Sequence, residues 1–292
     1  IMNDKKKEPL FHIVKRDALP WYQSVGIRAI AIVLALIVCA VVTMILTGTN
    51  PIQVFQSIIA GAFGSARKTW ITFQNIAILL LISLALTPAF KMKFWNIGGE
   101  GQVLIGGLAS AACMICLAEK LPAALVVVCM IVTSIAAGAF WAFIPAFFKA
   151  KWNTNETLST LMMNYIATQL VAFFTIVWEV PKGSGKIGII NQNSNVGWLP
   201  QAFGSKYLLS ILVAVLITVF MYIYLKYSKH GYEISVVGES ENTAKYVGIK
   251  VEKVIMRTMA LSGAVCGLVG LLLVGGINHT ITTTIAGGQG FT

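Results

Sequence analysis

The residues of this chain with chemistry to offer stand in a few short clusters. In the run Asn96-Ile97-Gly98-Gly99-Glu100-Gly101-Gln102 a carboxylate sits among three glycines at the start of a long apolar stretch. Asn96 can cap the helix that follows, and Glu100, in its first turn, meets the free N–H groups and the positive end of that helix. Gly98, Gly99 and Gly101 carry no Cβ, so a second backbone or a strained turn can come close. Such a start either ties a loop to a neighbouring helix or breaks a helix within a membrane, as transporter sites do. A second cluster puts neutral polar groups on one helical face: Thr157, Thr160, Asn164 and Thr168 fall at i, i+3, i+7 and i+11, with Tyr165 and Gln169 beside them. Two chemistries suit it, hydrogen bonding between helices and the lining of a hydrophilic path. Gln74 and Asn75 add two amides to another apolar stretch.

Covalent chemistry has no matching constellation. His12, His230 and His279 are far apart, and Cys113 and Cys116 form a C-x-x-C without a second pair or a nearby histidine. The stretch Gly61 to Thr69 resembles a phosphate loop, but Arg67 stands where the glycine before the lysine belongs. We expect no catalytic residue, no metal site and no cofactor held by this chain itself.

Composition says what must position these clusters. Soluble domains carry about a quarter charged residues, whereas this chain of 292 residues has 11% charged and 57% hydrophobic residues and a mean hydropathy of +0.79. Apolar runs close to the roughly 20 residues that cross a bilayer core as helix fall at Ile27 to Thr47, Trp70 to Phe90, Asn96 to Ala118, Ala123 to Phe148, Thr157 to Val180, Tyr207 to Tyr227 and Val254 to Ile277. They predict an all-α, polytopic transmembrane helical bundle with seven spans. The chain begins at Ile1 and stops at Gly-Gly-Gln-Gly-Phe-Thr without a polar tail, so one to three further spans are expected beyond its C-terminal residue.

Of the 22 Lys and Arg residues, 16 fall on segments that are cytoplasmic if the N-terminus is, and 6 on the others. Short basic loops stay cytoplasmic, so the topology is N-inside. The +11 net charge then reflects membrane orientation, and a nucleic-acid role is excluded for want of a basic stripe interleaved with aromatics. Residues 1–25 read as a basic cytoplasmic tail and 26–292 as the transmembrane domain. The first run is long for a signal peptide and reads as a retained span.

Two loops are long enough to act. The outer one, 181–206, is rich in Gly, Asn and Ser with Ile and Trp among them, which suits a packed cap or a docking surface. The inner one, 228–253, contains a short amphipathic helix: Ser240 can cap it, Glu241 and Lys245 pair at i, i+4, and Gly248 stops it.

The run Asn96 to Gln102 resembles the signature of bacterial ABC transporter permeases of the simple-sugar and nucleoside branch, in particular the nucleoside type that works with a basic-membrane-protein-like lipoprotein. Asn155-Glu156 followed by Met162, Asn164, Tyr165, Ile166 and Ala167 is similar to a second block of that family. Gly238-Glu239 with Ala244, Tyr246, Gly248 and Ile249 is similar to its cytoplasmic block, from which Ser240-Glu241 and Thr243 depart. The closing Gly-Gly-Gln-Gly-Phe-Thr resembles a segment after which members continue into further spans. The resemblance implies a permease subunit of an ATP-driven importer in the bacterial inner or plasma membrane. It implies pairing with a second, non-identical permease, two cytoplasmic ATPase subunits that hold ATP and Mg, and a substrate-binding lipoprotein at the outer loop. It makes the inner-loop helix the ATPase-coupling helix, through Gly238, Glu239, Ala244, Tyr246 and Gly248, with a small exposed face expected at Ala244 and Gly248. The substrate expected is a nucleoside, of the purine class, passing along Asn164, Tyr165, Thr160, Thr168, Gln169, Gln74 and Asn75, because an uncharged, donor-rich solute needs neutral polar groups and aromatic faces. A simple sugar would use a similar path. An ion-coupled secondary transporter and a non-transporting scaffold are the readings from other classes.

Overall fold

The computed structural model describes residues 20–201 and 204–291. The basic segment before Pro20, with His12, lies outside the described residues. The chain divides into two compact units, one up to Ser65 and the other from Ala66 onward.

In the first unit, helix α1 spans Trp21–Thr47 and stops where Gly48 turns left-handed, its N–H donating to the Met44 carbonyl. Its sequence is apolar around the whole circumference, the pattern of a span that faces lipid or other helices. Helix α2, Pro51–Phe63, follows with Asn50 as N-cap, accepting from Ile52 N at 2.9 Å, and Pro51 in its first turn. With 13 residues it is too short to cross a bilayer. The span-length criterion passes over such a helix.

The second unit holds α3 (Ala66–Lys91), α4 (Gly99–Leu117), α5 (Ala123–Trp152), α6 (Glu156–Val177), α7 (Leu208–Tyr227), α8 (Lys229–Glu239), α9 (Glu241–Tyr246) and α10 (Val251–Leu271). A π-helical stretch, Leu272–Asn278, extends α10, and a 3-10 turn, Gln289–Phe291, comes last. Among the described residues seven helices are long and apolar enough to span a membrane, at the expected positions. Among the described residues there is no strand of a sheet, and the all-α reading holds. The ends at which α3, α5 and α7 finish carry Lys91, Lys149, Lys151 and Lys226 and form the basic end of the bundle; the segment 178–201 covers the opposite, loop end.

Helix α10 is the axis of this unit, packed on α5, α4 and α3. Small residues make that packing possible. A Cβ on Gly267 would strike the Ser134 carbonyl of α5, one on Gly263 the Gly138 carbonyl, and one on Gly270 the Val103 carbonyl of α4. In lipid no hydrophobic force drives helices together, so backbone approach of this kind replaces it with van der Waals contact. Buried Met259, Cys266, Val269, Leu271 and Val274 complete the axis.

Two segments depart from simple spans. Asn96 Nδ2 donates to Ser262 Oγ at 3.3 Å. Ser262 lies eleven residues into α10, about 16 Å along it at 1.5 Å per residue, so the start of α4 is recessed inside the bundle. Beyond α10 the chain turns back. Ile190 N donates to the His279 carbonyl at the loop end, at the level of Met114, while Gly290 packs on the backbone of Glu100. Glu100 and Met114 are fourteen residues apart on α4, about 21 Å, so residues 279–290 re-enter the bundle to that depth.

Candidate functional site

The re-entrant segment and the recessed start of α4 meet at Glu100. Its Oε1 accepts from Gly288 N at 3.1 Å and its Oε2 from Gly290 N at 2.9 Å. The carboxylate is 6% exposed, and none of the ion pairs among the described residues involves it. Two backbone N–H groups and the positive end of α4 therefore take the place of a cation. Glycine is required on both sides: a Cβ on Gly290 would collide with Glu100 N, and Gly288 has φ 75°.

The same turn is gripped from α6. Asn164 Oδ1 accepts from Gly101 N at 2.8 Å and Asn164 Nδ2 donates to the Ile97 carbonyl at 2.8 Å. Thr160 Oγ1 accepts from Ile97 N at 3.3 Å while donating to its own helix at Glu156. Asn96 stands two residues before the cap position, which Gly98 occupies, so it does not cap α4 as the sequence suggests. Its Oδ1 instead closes a local turn by accepting from Gly98 N at 2.9 Å and also accepts from Gln102 Nε2 at 3.3 Å. The Gly98-Gly99 pair lets the chain turn once more before the helix begins. Gly99 lies against the Gly290 carbonyl, and Gln102 Oε1 is buried without a partner.

The polar residues grouped as one path in the sequence fall on several faces. Thr160 and Asn164 are buried in the grip on α4, Thr168 is half-buried and donates to the Asn164 carbonyl, and Tyr165 and Gln169 point out of the unit. On α3, Gln74 is buried and Asn75 exposed. The stripe continues to Thr175, seven residues beyond Thr168, and there it borders a cavity of about 620 Å³ at the loop end. Ala172, Ile176, Ile187, Thr280 and Thr282 share its wall. Sequence reasoning missed Thr175 and the Thr280 to Thr284 run; the hydroxyl periodicity could have found the first, but only the re-entry brings the second to α6.

The loop itself is a packed cap. Ile187 and Ile190 are buried, Trp198 stacks on His279 with ring centroids 3.8 Å apart, and Trp198 Nε1 donates to the Ile190 carbonyl. Burial, with Lys206 nearby, holds His279 below the usual histidine pKa.

At the basic end the inner loop forms two helices rather than one. Ser240 ends α8 and caps α9, accepting from Thr243 N at 3.3 Å, and Gly248, with φ 83°, turns the chain into α10. Ala244 is fully buried among Ala89, Met92, Phe94, Ile234 and Val237, which overturns the expectation of an exposed small face there. A six-residue helix has one side to seat it, and Ala244 is that side. Tyr246, Val247 and Gly248 are exposed instead, Tyr246 at 94%. Gly238 is buried because its Cα rests on the Lys91 carbonyl at the end of α3, whereas Glu239 is exposed. Between α8 and α10, Arg257 donates to Glu233 at 2.9 Å and holds that carboxyl below its ordinary pKa.

Comparison with known proteins gives this architecture relatives. The family model described as branched-chain amino acid transport system / permease component matches residues 69–291. The guanosine ABC transporter permease protein NupP of Bacillus subtilis is 33% identical over 246 residues, 83% of this chain and 70% of its own. The nucleoside ABC transporter permease protein NupB of Lactococcus lactis is 28% identical, covering 86% of this chain and 70% of its own. The glucose ABC transporter permease protein TsgB13 of Haloferax volcanii is 26% identical, over 95% and 75%. No solved structure matches. With seven membrane-length helices and a family match over most of its length, the chain is a multi-pass membrane protein that belongs to the branched-chain amino acid transport system permease family.

Proposed function

We propose that the chain is the membrane-spanning permease subunit of an ATP-driven importer of nucleosides, of the purine class, with its N-terminus on the cytoplasmic side. The observation that carries this reading is the similarity to two permeases named for guanosine and for nucleosides across more than four-fifths of the chain. The wall of the 620 Å³ cavity is made of hydroxyls and apolar groups with one ammonium, that of Lys186, and no carboxylate, which suits a neutral, hydrogen-bonding solute. Gln169 and Tyr165, exposed at membrane depth on α6, support a partner on that face, because lipid would leave the Gln169 amide unsatisfied. In this reading a second, non-identical permease closes the path there. Tyr165, Thr168 and Gln169 border it, with Asn75 on α3 as a further candidate, while Thr160, Asn164 and Gln74 hold the helices that form it.

ATP and Mg belong to cytoplasmic ATPase subunits, which seat on Tyr246, Val247, Gly248 and Glu239. A substrate-loaded lipoprotein docks on the loop-end cap. The core that seats α9 contains Met92 and Phe94, immediately before the Asn96 to Gln102 turn. Movement of α8 and α9 against Lys91 therefore has a packed route to Glu100 and to the re-entrant segment it holds. The test is uptake by the complete transporter: labelled guanosine should accumulate in an ATP-dependent manner, survive collapse of ion gradients and yield to competing purine nucleosides. The second reading, a simple-sugar importer, is favoured by the glucose permease relative, and glucose competing where guanosine does not would establish it.

A further inference from the structure

We propose that the cavity between α8, the α9–α10 link and the first turns of α10 binds the phosphate headgroup of an anionic phospholipid. The cavity measures about 430 Å³, and its wall carries Lys229, Lys250, Lys253 and Arg257 against a single carboxylate, Glu233. That carboxylate is already occupied. Its Oε2 accepts from Arg257 at 2.9 Å and lies 3.5 Å from His230 Nδ1. Lys229, Lys250 and Lys253 are exposed and take part in none of the ion pairs among the described residues. Arg257 Nε is buried without a partner. Three ammonium groups on one recess, without an ion-pair partner among the described residues, make it a favourable place for an anion.

The surroundings select the kind of anion. Lys229 comes two residues after the end of α7, whose last turns carry Tyr222, Tyr227 and Lys226, the Lys226 ammonium 5.1 and 5.5 Å from the two ring centroids. Aromatic and basic residues so placed mark the boundary between hydrocarbon and headgroups. Tyr232, Gly248 and the apolar Val247, Ile249 and Val254 complete the cavity wall. A phosphodiester can sit among the amines while its glycerol lies against Ile249 and Val254, which a freely soluble anion does not need. Basic pockets at the cytoplasmic ends of spans collect anionic headgroups by the same physics. An acidic protein surface is the alternative occupant, since Tyr246 stands exposed next to Val247 of the wall.

The experiment places the full-length permease with its partner subunits in vesicles of phosphatidylcholine, with and without a minor fraction of phosphatidylglycerol. Phosphatidylglycerol should raise the melting temperature and remain bound through detergent extraction, as read by native mass spectrometry. The double variant Lys250→Gln, Lys253→Gln should lose that retention several-fold, and Lys250→Arg, Lys253→Arg should keep it. ATPase co-purification and the melting temperature in pure phosphatidylcholine should stay at the parent value in both. Equal retention in the Gln variant would overturn the proposal. So would displacement of the lipid by millimolar inorganic phosphate, which would make this a free-anion site. Loss of ATPase co-purification with lipid retention intact would overturn it in favour of an acidic partner protein.

Discussion

Glu100 shows how one side chain can hold two distant parts of a membrane protein. Each carboxylate oxygen accepts one backbone N–H of the re-entrant segment, and the partners lie 188 and 190 residues away in sequence. In Glu100→Gln only one oxygen remains, and the new amide NH₂ faces an N–H; in Glu100→Ala both donors are left unpaired, each at a cost of about 1–3 kcal/mol. The expected order of melting temperature and membrane abundance is therefore parent, then Gln, then Ala. A well-assembled but wholly inactive Gln variant would instead assign the charge a direct part in transport. Asn164 behaves alike: Asn164→Leu orphans Gly101 N–H and the Ile97 carbonyl, so abundance and melting temperature should fall together with uptake. Normal abundance with abolished uptake would place Asn164 on the path.

At the scale of elements, α8 and α9 are seated by Gly238 and Ala244, and they present Tyr246 and Gly248. Gly238→Ala drives a methyl into the Lys91 carbonyl, and overpacking of this kind costs about 1–3 kcal/mol. We expect it to lift α8 from α3 and to uncouple ATP hydrolysis from uptake while the spans stay assembled; tight coupling in that variant would refute the route through Met92 and Phe94. Tyr246→Ala, on the exposed side, should weaken ATPase co-purification without altering the melting temperature. The ion pair between α8 and α10 has a pH signature. Glu233 is held below the ordinary value of 4.5, chiefly by the hydrogen bond from Arg257. A depressed carboxylate stabilises the fold above its unfolded-state pKa and loses that contribution as pH falls through its folded-state value. Thermal stability should therefore decline below pH 4.5, with a shallower decline in Glu233→Gln.

For the whole second unit, α10 is the element around which α3, α4 and α5 assemble. Its glycines leave no room at the crossing with α5, where Gly267 abuts the Ser134 carbonyl. Gly267→Leu should abolish assembly, read as loss of the protein from the membrane, whereas Leu at Gly61 of α2, where nothing lies within 4 Å, should be tolerated. Much of this was legible beforehand. Hydropathy alone located seven spans, because a bilayer imposes length and apolarity on every crossing helix. The polar spacing on α6 identified a face that must not meet lipid, and the glycines of α10 announced close packing. The local signals at Ser240 and Gly248 also foretold where α9 begins and ends. The sequence could not tell which side of α9 is seated, since one turn carries no period and Ala244 reads equally well as a docking face or a core methyl. Nor could it place Asn96 or Asn164, whose amides suit a cap, a path or a clasp until their partners are known. The depth of the α4 start and the return of residues 279–290 to Glu100 were decided only by tertiary structure. They depend on one carboxylate finding two backbone groups 188 and 190 residues away from it, and no local propensity encodes a contact whose driving force is the satisfaction of buried N–H groups at a distance.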